Sequence, residues 1–363
     1  MPHRLATTVW VASIFAAGIT LPLSQPRSEG VEDKYLETIK VSENVYVFKP
    51  KIDWNHGNGV AIIGPDGVFF IDTYIQFNYA EEAIRRLRRV TKLPVRYVLN
   101  THWHNDHVTG NGVFKREFPT VQIITHDSTV APLEKIVRPA VDSELVLIPQ
   151  AIALLDGEVT KGTTGRRRIP IVGTMKPFWA QMLSNVRDYQ KEFRPARFAN
   201  ADITFSDTLT MRWGTQTLRM IHMAENGHSA GDVVVWIPEQ RILATGDLVV
   251  GPTPYATYHN IPGMVKALHA LIAMNPAIVI PGHGVVQHDL AYMQLLERAF
   301  TEYRQAAEAA VAAKVPEARA LDSLALPEID RLFVGDDPLK KWAYQSFFVR
   351  NVIHNTYKPT PGP

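Results

Sequence analysis

Four apolar stretches of the sequence each lead into a histidine or an aspartate, and this recurrence constrains the fold more than any other feature. The stretches are VRYVLN, LRMIHM, RILATG and AIVIPG, and their composition predicts β-strands. The polar side chains that follow them are His102, His104, Asp106, His107, His228, Asp247 and His283. Because ligands of α/β proteins bind at the carboxyl ends of strands, we expect these side chains to meet at one edge of the sheets.

The order of the predicted elements favours a single α/β domain. From Val41, the stretches NVYVFKP, GVAIIG and GVFFIDT predict strands, and YAEEAIRRLRRVTK predicts a helix with a basic outer face. Further strands and helices follow, as far as a long helix from about Asp289 to Lys314. This succession predicts helices packed outside two sheets.

The domain is expected to span residues 40–310, with an insertion at residues 129–200 whose apolar content is low and broken. The insertion is predicted to be helical or irregular and holds KGTTGRRRIP and PFWAQMLSNVRDYQKEF. One hypothesis is that it folds over the site, with Trp179, Phe178 or an arginine contacting the substrate; a peripheral elaboration is the alternative. Residues 311–363 are expected to form a C-terminal helical extension packed on the domain.

The N-terminus differs in composition from the rest of the chain. After His3 and Arg4, the stretch LATTVWVASIFAAGITLPL carries no charge, which predicts a secretory signal peptide in residues 1–28. Because no clean small-x-small cleavage site follows, an uncleaved anchor and a buried helix are alternatives. The chain has no cysteine, which excludes disulfides, a thiolate nucleophile and a cysteine-based metal site. Export without disulfides is compatible with a bacterial periplasm.

Charge gives little support to a macromolecular partner. The formal net charge of +2 is too small to argue for nucleic acid or an acidic membrane surface. The dense basic run GRRRIP, at residues 165–170, is more typical of a solvated loop. We therefore expect a small-molecule substrate, no nucleic-acid partner, and no stable membrane insertion unless the N-terminal segment stays uncleaved.

The spacing within HWHNDH indicates two binding points. His102 and His104 are two residues apart, so in an extended segment they point to the same side, while Trp103 points into packing. Asp106 and His107 are adjacent and suit a turn that directs them to a second point. A cluster of this kind can hold two metal ions side by side.

Two sets of three ligands follow from this spacing: His102, His104 and His228 for one ion, and Asp106, His107 and His283 for the other. Asp247 can bridge the two ions through its two carboxylate oxygens. Three protein ligands with an open position are the arrangement of catalytic rather than structural zinc. We therefore expect two zinc ions, although the oxygen ligands are also compatible with manganese or iron.

The other histidines are expected to be structural or to lie on the surface. They are His3, His56, His126, His222, His259, His269, His288 and His354. His56 is a partial exception, since the loop DWNHGNG could bring it to the site.

The motifs THWHNDH, GHSAGD, TGD and PGHG, in this order, resemble those of the metallo-β-lactamase superfamily. VFFIDT also resembles the family strand that ends in an aspartate, here Asp72. The resemblance covers about Val41 to Gln287. It implies a four-layer αββα sandwich with zinc at one edge between the sheets, and it implies that the seven residues above are the ligands. The chain departs from the cysteine-bearing β-lactamases, because Asp247 replaces the cysteine and Val250 replaces the lysine three residues later.

The resemblance and the ligand set together predict a metal-dependent hydrolase. A metal-bridging hydroxide, oriented by Asp106, is expected to attack an ester, thioester, lactone or β-lactam amide carbonyl. The aspartate at the bridging position is more like the lactonase and thioester hydrolase branches. Three alternatives stay open: an iron-dependent persulfide dioxygenase, a metal-dependent nuclease of the same fold, and a non-catalytic metal-binding module.

Overall fold

The computed structural model describes residues 33–52, 56–257 and 259–358. The predicted signal peptide or anchor at residues 1–28 lies outside these ranges. Within them, none of the helices combines the length and the apolar composition that crossing a membrane requires.

Short strands form two sheets. The strands of the first part of the chain are β1 (Leu36–Lys40), β2 (Val45–Pro50), β3 (Gly59–Ile63), β4 (Val68–Ile71), β5 (Val95–Leu99) and β6 (Gln122–His126). A separate hairpin follows, formed by β7 (Thr163–Thr164) and β8 (Ile169–Pro170). The strand β9 (Ile203–Phe205) then pairs with β6 and completes a seven-stranded sheet in the order β1-β2-β3-β4-β5-β6-β9. Its first four strands are antiparallel, and β4, β5, β6 and β9 are parallel.

The second sheet has five strands. They are β10 (Thr208–Trp213), β11 (Gln216–His222), β12 (Val233–Ile237), β13 (Ile242–Ala244) and β14 (Ile278–Ile280), in that spatial order. The strands are antiparallel except that β14 runs parallel to β13. Among the described strands of the two sheets, only β1 precedes Val41, where the predicted strands begin, so β1 was not predicted.

The alternation of side chains along each strand fills two cores at once. In β2, Val45 and Val47 pack between the two sheets, whereas Phe48 packs in the outer cluster beneath the helices. In β4, Phe69 faces the second sheet and Phe70 faces the helices. Strands buried on both faces in this way require helices on the outside of each sheet.

Helices cover the outer face of each sheet. After β4 and β5 come α1 (Phe77–Val90), α2 (Asn105–Val108) and α3 (Asn111–Glu117). Over the second sheet lie α8 (Ile261–Ala273), α9 (Ala291–Ala312), α10 (Glu317–Ser323), α11 (Pro327–Val334), α12 (Pro338–Ala343), a π-helical turn (Tyr344–Val349) and α13 (Arg350–Tyr357). The four layers are those of the predicted αββα sandwich, which is confirmed. Of the helices after residue 311, α10, α11, the π-helical turn and α13 share one core cluster with α8 and α9. The domain boundaries stay a prediction.

The inserted segment is helical for most of its length. It contains α4 (Asp127–Pro132), a π-helical turn (Leu133–Val137), α5 (Arg138–Asp142), α6 (Glu144–Lys161) and α7 (Met175–Glu192). The description of its apolar content as low and broken is wrong for α6, which buries Leu147, Ile148 and Ala151. A proline is unusual inside a helix, so Pro149 makes the helical pattern of α6 difficult to recognise in the sequence. Proline has no N–H, so one backbone hydrogen bond near the start of α6 is missing. Burial of the apolar face compensates for this loss.

Candidate metal centre

The structure brings all seven predicted side chains together at one edge of the sandwich. They stand on loops that follow β5, β11, β13 and β14, and on the short helix α2. They form two groups that share Asp247, and within each group the possible ligand atoms lie within 4.8 Å of one another. Residues more than 170 positions apart therefore meet, as the strand-end argument predicts, while their role as metal ligands stays a prediction.

The first group, here called the histidine cluster, consists of His102, His104 and His228. Nε2 of His102 lies 3.1 Å from both Nδ1 of His104 and Nε2 of His228, and the last two atoms are 2.8 Å apart. A tetrahedral zinc ion holds its nitrogen ligands about 3.3 Å apart, since each Zn–N bond is about 2.0–2.1 Å long. Burial lowers the pKa of each of these histidines, that of His104 to about 4, so the cluster is neutral.

The second group, here called the acidic cluster, consists of Asp106, His107 and His283. Nε2 of His283 lies 3.1 Å from Oδ2 of Asp106 and 3.3 Å from Nε2 of His107. Burial acts to lower the pKa of both histidines, but nearby carboxylates, above all that of Asp247, raise the pKa of His283 to about 9 and that of His107 well above its usual range. The two clusters therefore differ in charge although they lie side by side.

Asp247 connects the two clusters. Its Oδ1 lies 3.2 Å from Nε2 of His107 and 3.4 Å from Nε2 of His283. Its Oδ2 lies 3.7 Å from Nε2 of His228 and 3.9 Å from Nε2 of His102. Oδ1 is buried and accepts no well-oriented hydrogen bond from the described residues. A buried oxygen of this kind needs a partner, and a cation could supply it.

The outer nitrogens of the histidine cluster also fit a metal ion. Nδ1 of His102 lies 3.0 Å from Oγ1 of Thr101, and Nδ1 of His228 lies 3.3 Å from Nε2 of His259. When these outer nitrogens donate, the Nε2 lone pairs of His102 and His228 face each other at 3.1 Å. Two facing lone pairs repel unless a cation lies between them, so the residues present match a metal ion.

Two buried carboxylates hold the loops that carry these histidines. Nδ1 of His107 donates to Oδ2 of Asp72 at 2.8 Å, and the N–H of Thr101 donates to Oδ1 at 2.9 Å. Asp232 accepts the backbone N–H of His228 at 2.8 Å, and burial raises the pKa of Asp232 to about 7. Asp72, the aspartate of VFFIDT, therefore orients the candidate ligand His107.

Glycine is required at two points of close approach. A Cβ atom at Gly282 would lie 2.1 Å from Oδ1 of Asp247, and one at Gly57 would lie 2.6 Å from Cε1 of His107. Neither glycine was expected to have a role, although Gly282 stands beside His283 in PGHG. A larger residue at Gly282 would displace the shared carboxylate.

His259, expected to be structural or to lie on the surface, is buried, and its ring lies against the candidate ligand His228. His56, the partial exception, is also buried, stacks on Tyr79 with centroids 3.6 Å apart, and interacts electrostatically with Asp106. No sequence motif marks His259. It does not directly follow a predicted strand, and no other histidine or acidic residue lies near it in the sequence at the spacing of metal ligands.

The hypothesis that Trp179, Phe178 or an arginine contacts the substrate stays a prediction. Trp179 is buried, its Nε1–H donates to Oε2 of Glu158 at 2.8 Å, and its ring packs against Trp342 of α12. The first helix of the insertion approaches the site closely, because a Cβ atom at Gly231 would lie 2.3 Å from Oγ1 of Thr129. Gly231 belongs to the loop that carries His228.

Comparison with known proteins decides the family. Residues 52–283, well over half of the chain, match the family model of the metallo-β-lactamase superfamily. The chain belongs to this superfamily. Membership confirms the resemblance inferred from the motifs, and it confirms the prediction of a metal-dependent hydrolase at the level of the family.

Two proteins with solved structures share the fold. The metallo-β-lactamase from Pontibacter korlensis superposes with a TM-score of 0.52 at 19% identity, covering 73% of this chain and 99% of that one. The stereoselective inverting sec-alkylsulfatase Pisa1 from Pseudomonas sp. superposes with a TM-score of 0.59 at 13% identity, covering 90% of this chain and 50% of that one.

A curated relative is the linear primary-alkylsulfatase of Pseudomonas sp. (strain ATCC 19151). It is 22% identical over 239 residues, which is 61% of this chain and 40% of that protein. The chain therefore matches less than half of the length of this relative.

Proposed function

We propose that the chain is a dinuclear, zinc-dependent hydrolase that cleaves an ester-type bond in a small molecule. The observation that carries the proposal is the position of Asp247, which directs Oδ1 towards His107 and His283 and Oδ2 towards His102 and His228. In this proposal the seven side chains would hold two metal ions, and both groups would share the carboxylate of Asp247. The nitrogen ligands favour zinc, and the carboxylates leave manganese or iron as alternatives.

The two ions, when bound, supply the activation of a water molecule and the polarisation of the bond that is cleaved. The chain itself contributes Asp106, whose side chain is 23% exposed, compared with 6% for that of Asp247 and 7% for that of His283. Asp106 is thus the acidic side chain of the site that solvent reaches best. We assign it the catalytic role of orienting the attacking water.

Charge favours an electron-rich substrate. Two divalent ions bring four positive charges, and the carboxylates of Asp106 and Asp247 remove two of them. The excess positive charge in a buried site attracts a carbonyl oxygen, a developing oxyanion or an anionic group of the substrate. Carbonyl esters, thioesters and lactones fit this description. β-Lactam amides rank below them because Asp247 stands where the cysteine-bearing enzymes have their thiolate.

A sulfate ester is the second candidate substrate. The superposition on the sec-alkylsulfatase covers 90% of the chain, compared with 73% for the β-lactamase, so it extends over more of the chain. An alkyl sulfate also carries the negative charge that the metal centre attracts. The two candidates differ in product: a carboxylic acid in one case and inorganic sulfate in the other.

The test is a metal assay on the purified protein combined with a substrate panel. The panel contains nitrocefin, lactones, thioesters, carboxylic esters, alkyl sulfates and phosphodiesters. We expect two zinc ions per chain and chelator-sensitive hydrolysis of carbonyl or sulfate esters. Fewer than two ions after reconstitution contradicts the proposal. Turnover of phosphodiesters alone would select the nuclease, and one iron with oxygen consumption would select the persulfide dioxygenase. Metal binding without any turnover would leave the non-catalytic module.

We also propose that the protein is exported to a bacterial periplasm. The uncharged apolar stretch near the N-terminus and the absence of cysteine support this location. N-terminal sequencing of protein from the periplasmic fraction should give a chain that begins near residue 28. Full-length protein in the membrane fraction would favour the anchor, and full-length protein in the cytoplasm would contradict export.

A further inference from the structure

One nitrogen of His228 points away from the histidine cluster towards a second buried histidine. Nδ1 of His228 lies 3.3 Å from Nε2 of His259, and the two rings meet edge to face with centroids 4.7 Å apart. His259 is 1% exposed, and its ring stacks on Phe300 of α9 with centroids 5.9 Å apart. Packing therefore holds the ring of His259 in one orientation against His228.

The direction of this hydrogen bond decides whether His228 can bind a metal ion. For Nε2 of His228 to offer a lone pair to the cluster, its proton must lie on Nδ1. That proton then points at Nε2 of His259, which accepts it. The opposite direction would place a proton on Nε2 of His228 and block the metal ion. A residue that accepts this proton would act on the metal centre without touching it.

The C-terminal helices fix the backbone of His259. Nδ2 of Asn355, in α13, donates to the carbonyl oxygens of Ala256 and His259 at 3.0 and 3.2 Å. The N–H of Ala256 donates to the carbonyl oxygen of Phe347 at 2.8 Å. The side chain of Asn355 is buried, so these bonds are protected from water.

The same loop is also tied to the segment that carries His228. The N–H of Asn260 donates to the carbonyl oxygen of Gly227 at 3.1 Å. We propose that His259 is a positioning residue that fixes the ring orientation and the tautomer of His228, and that Asn355 holds His259 in place from the C-terminal helices. This inference rests on the proposed function, in which His228 binds a metal ion, and it gives residues beyond 311 a role in metal affinity.

The test measures zinc affinity rather than activity. The full chain is titrated with zinc in competition with a chromogenic chelator, as wild type, His259→Leu and His259→Gln. Leucine keeps the apolar packing but accepts no hydrogen bond, so we expect zinc to bind the histidine cluster about 10–100-fold more weakly. The Oε1 atom of glutamine can replace Nε2 as the acceptor, so His259→Gln should bind zinc within a few-fold of wild type. Asn355→Ala should weaken binding in the same direction by a smaller factor.

His269→Leu is the matched control, because His269 lies on the neighbouring helix α8 with a side chain that is 79% exposed. It should bind zinc as wild type does. Equal affinity of His259→Leu and wild type would overturn the inference, and so would equal weakening by leucine and glutamine, since packing alone would then explain the loss. If His104→Ala loses no zinc relative to wild type, the proposed function itself fails; if it loses one ion while His259→Leu binds normally, only the inference fails.

A measurement on the unmodified protein covers the case in which His259→Leu does not fold. In zinc-loaded protein labelled with ¹⁵N at histidine, the nitrogen spectra should show the proton of His228 on Nδ1, with a coupling across the hydrogen bond to Nε2 of His259. A proton on Nδ1 of His228 that exchanges freely and shows no such coupling would overturn the inference.

Discussion

The histidine cluster and the acidic cluster each offer three ligands, but their surroundings are opposite. Burial keeps the histidine cluster neutral, and its outer partners are the uncharged side chains of Thr101 and His259. The acidic cluster is surrounded by the carboxylates of Asp72 and Asp247, which raise the pKa of His107. A metal ion entering the first cluster meets neutral nitrogens, whereas one entering the second must displace protons. One edge of the sandwich can therefore hold two unlike sites around a shared carboxylate.

Removal of the shared carboxylate should have the largest effect, because it acts on both clusters. We expect Asp247→Ala to bind fewer than two zinc ions and to lose activity by a factor on the order of 10³, since the several kcal/mol of metal stabilisation are lost. Metal analysis and initial rates on the best substrate measure both effects. Asp66→Ala, at an exposed position, is the control. Two ions and full activity in Asp247→Ala would show that the clusters are independent.

Removal of one histidine from either cluster should show whether the two clusters bind metal independently. We expect His104→Ala and His283→Ala each to retain one zinc ion, in the cluster that was left intact. Activity should fall in both variants by roughly 10²-fold or more, since neither ion alone both activates water and stabilises the leaving group. Metal content per chain, measured before and after dialysis against chelator, is the readout. Loss of both ions in either variant would mean that the clusters fill as one unit.

The residues of both clusters could be predicted from the sequence, because each of them follows a strand. The ends of these strands meet at one edge of the sheets, independently of the conformation of the loops. The sequence also predicted the sandwich, since Val45, Val47 and Phe48 alternate between two cores. It missed α6, where Pro149 interrupts the helical pattern, and it missed His259, whose role depends on a contact with a residue 31 positions earlier. A contact such as that between His259 and His228 arises only from tertiary packing, which local sequence patterns do not encode.

The opposite pKa shifts of the two clusters can be tested in metal-free protein. Below about pH 9 His283 should carry a proton, whereas His104 should stay neutral down to about pH 4. Because the folded-state pKa of His283 is raised above its ordinary value of 6.5, its contribution to stability is present below pH 6.5 and is lost as pH rises towards 9. Histidine nitrogen chemical shifts and the melting temperature of chelated protein, followed from pH 6 to pH 9, measure both effects. Titration of both histidines near pH 6.5 would remove the contrast between the clusters.

The smallest effect is expected from the outer partner of the acidic cluster. Asp72→Asn keeps the shape of the side chain and an oxygen that accepts the hydrogen bond from Nδ1 of His107. It removes the negative charge, and its NH2 group replaces the oxygen that accepts the N–H of Thr101. Zinc should bind the acidic cluster about 10-fold more weakly, at the low end of the range for outer partners, while the histidine cluster keeps its affinity. The same competition titration used for His259 measures both steps. An equal loss at both clusters would indicate that Asp72 acts through Thr101, which it also holds, rather than through the charge it places beside His107.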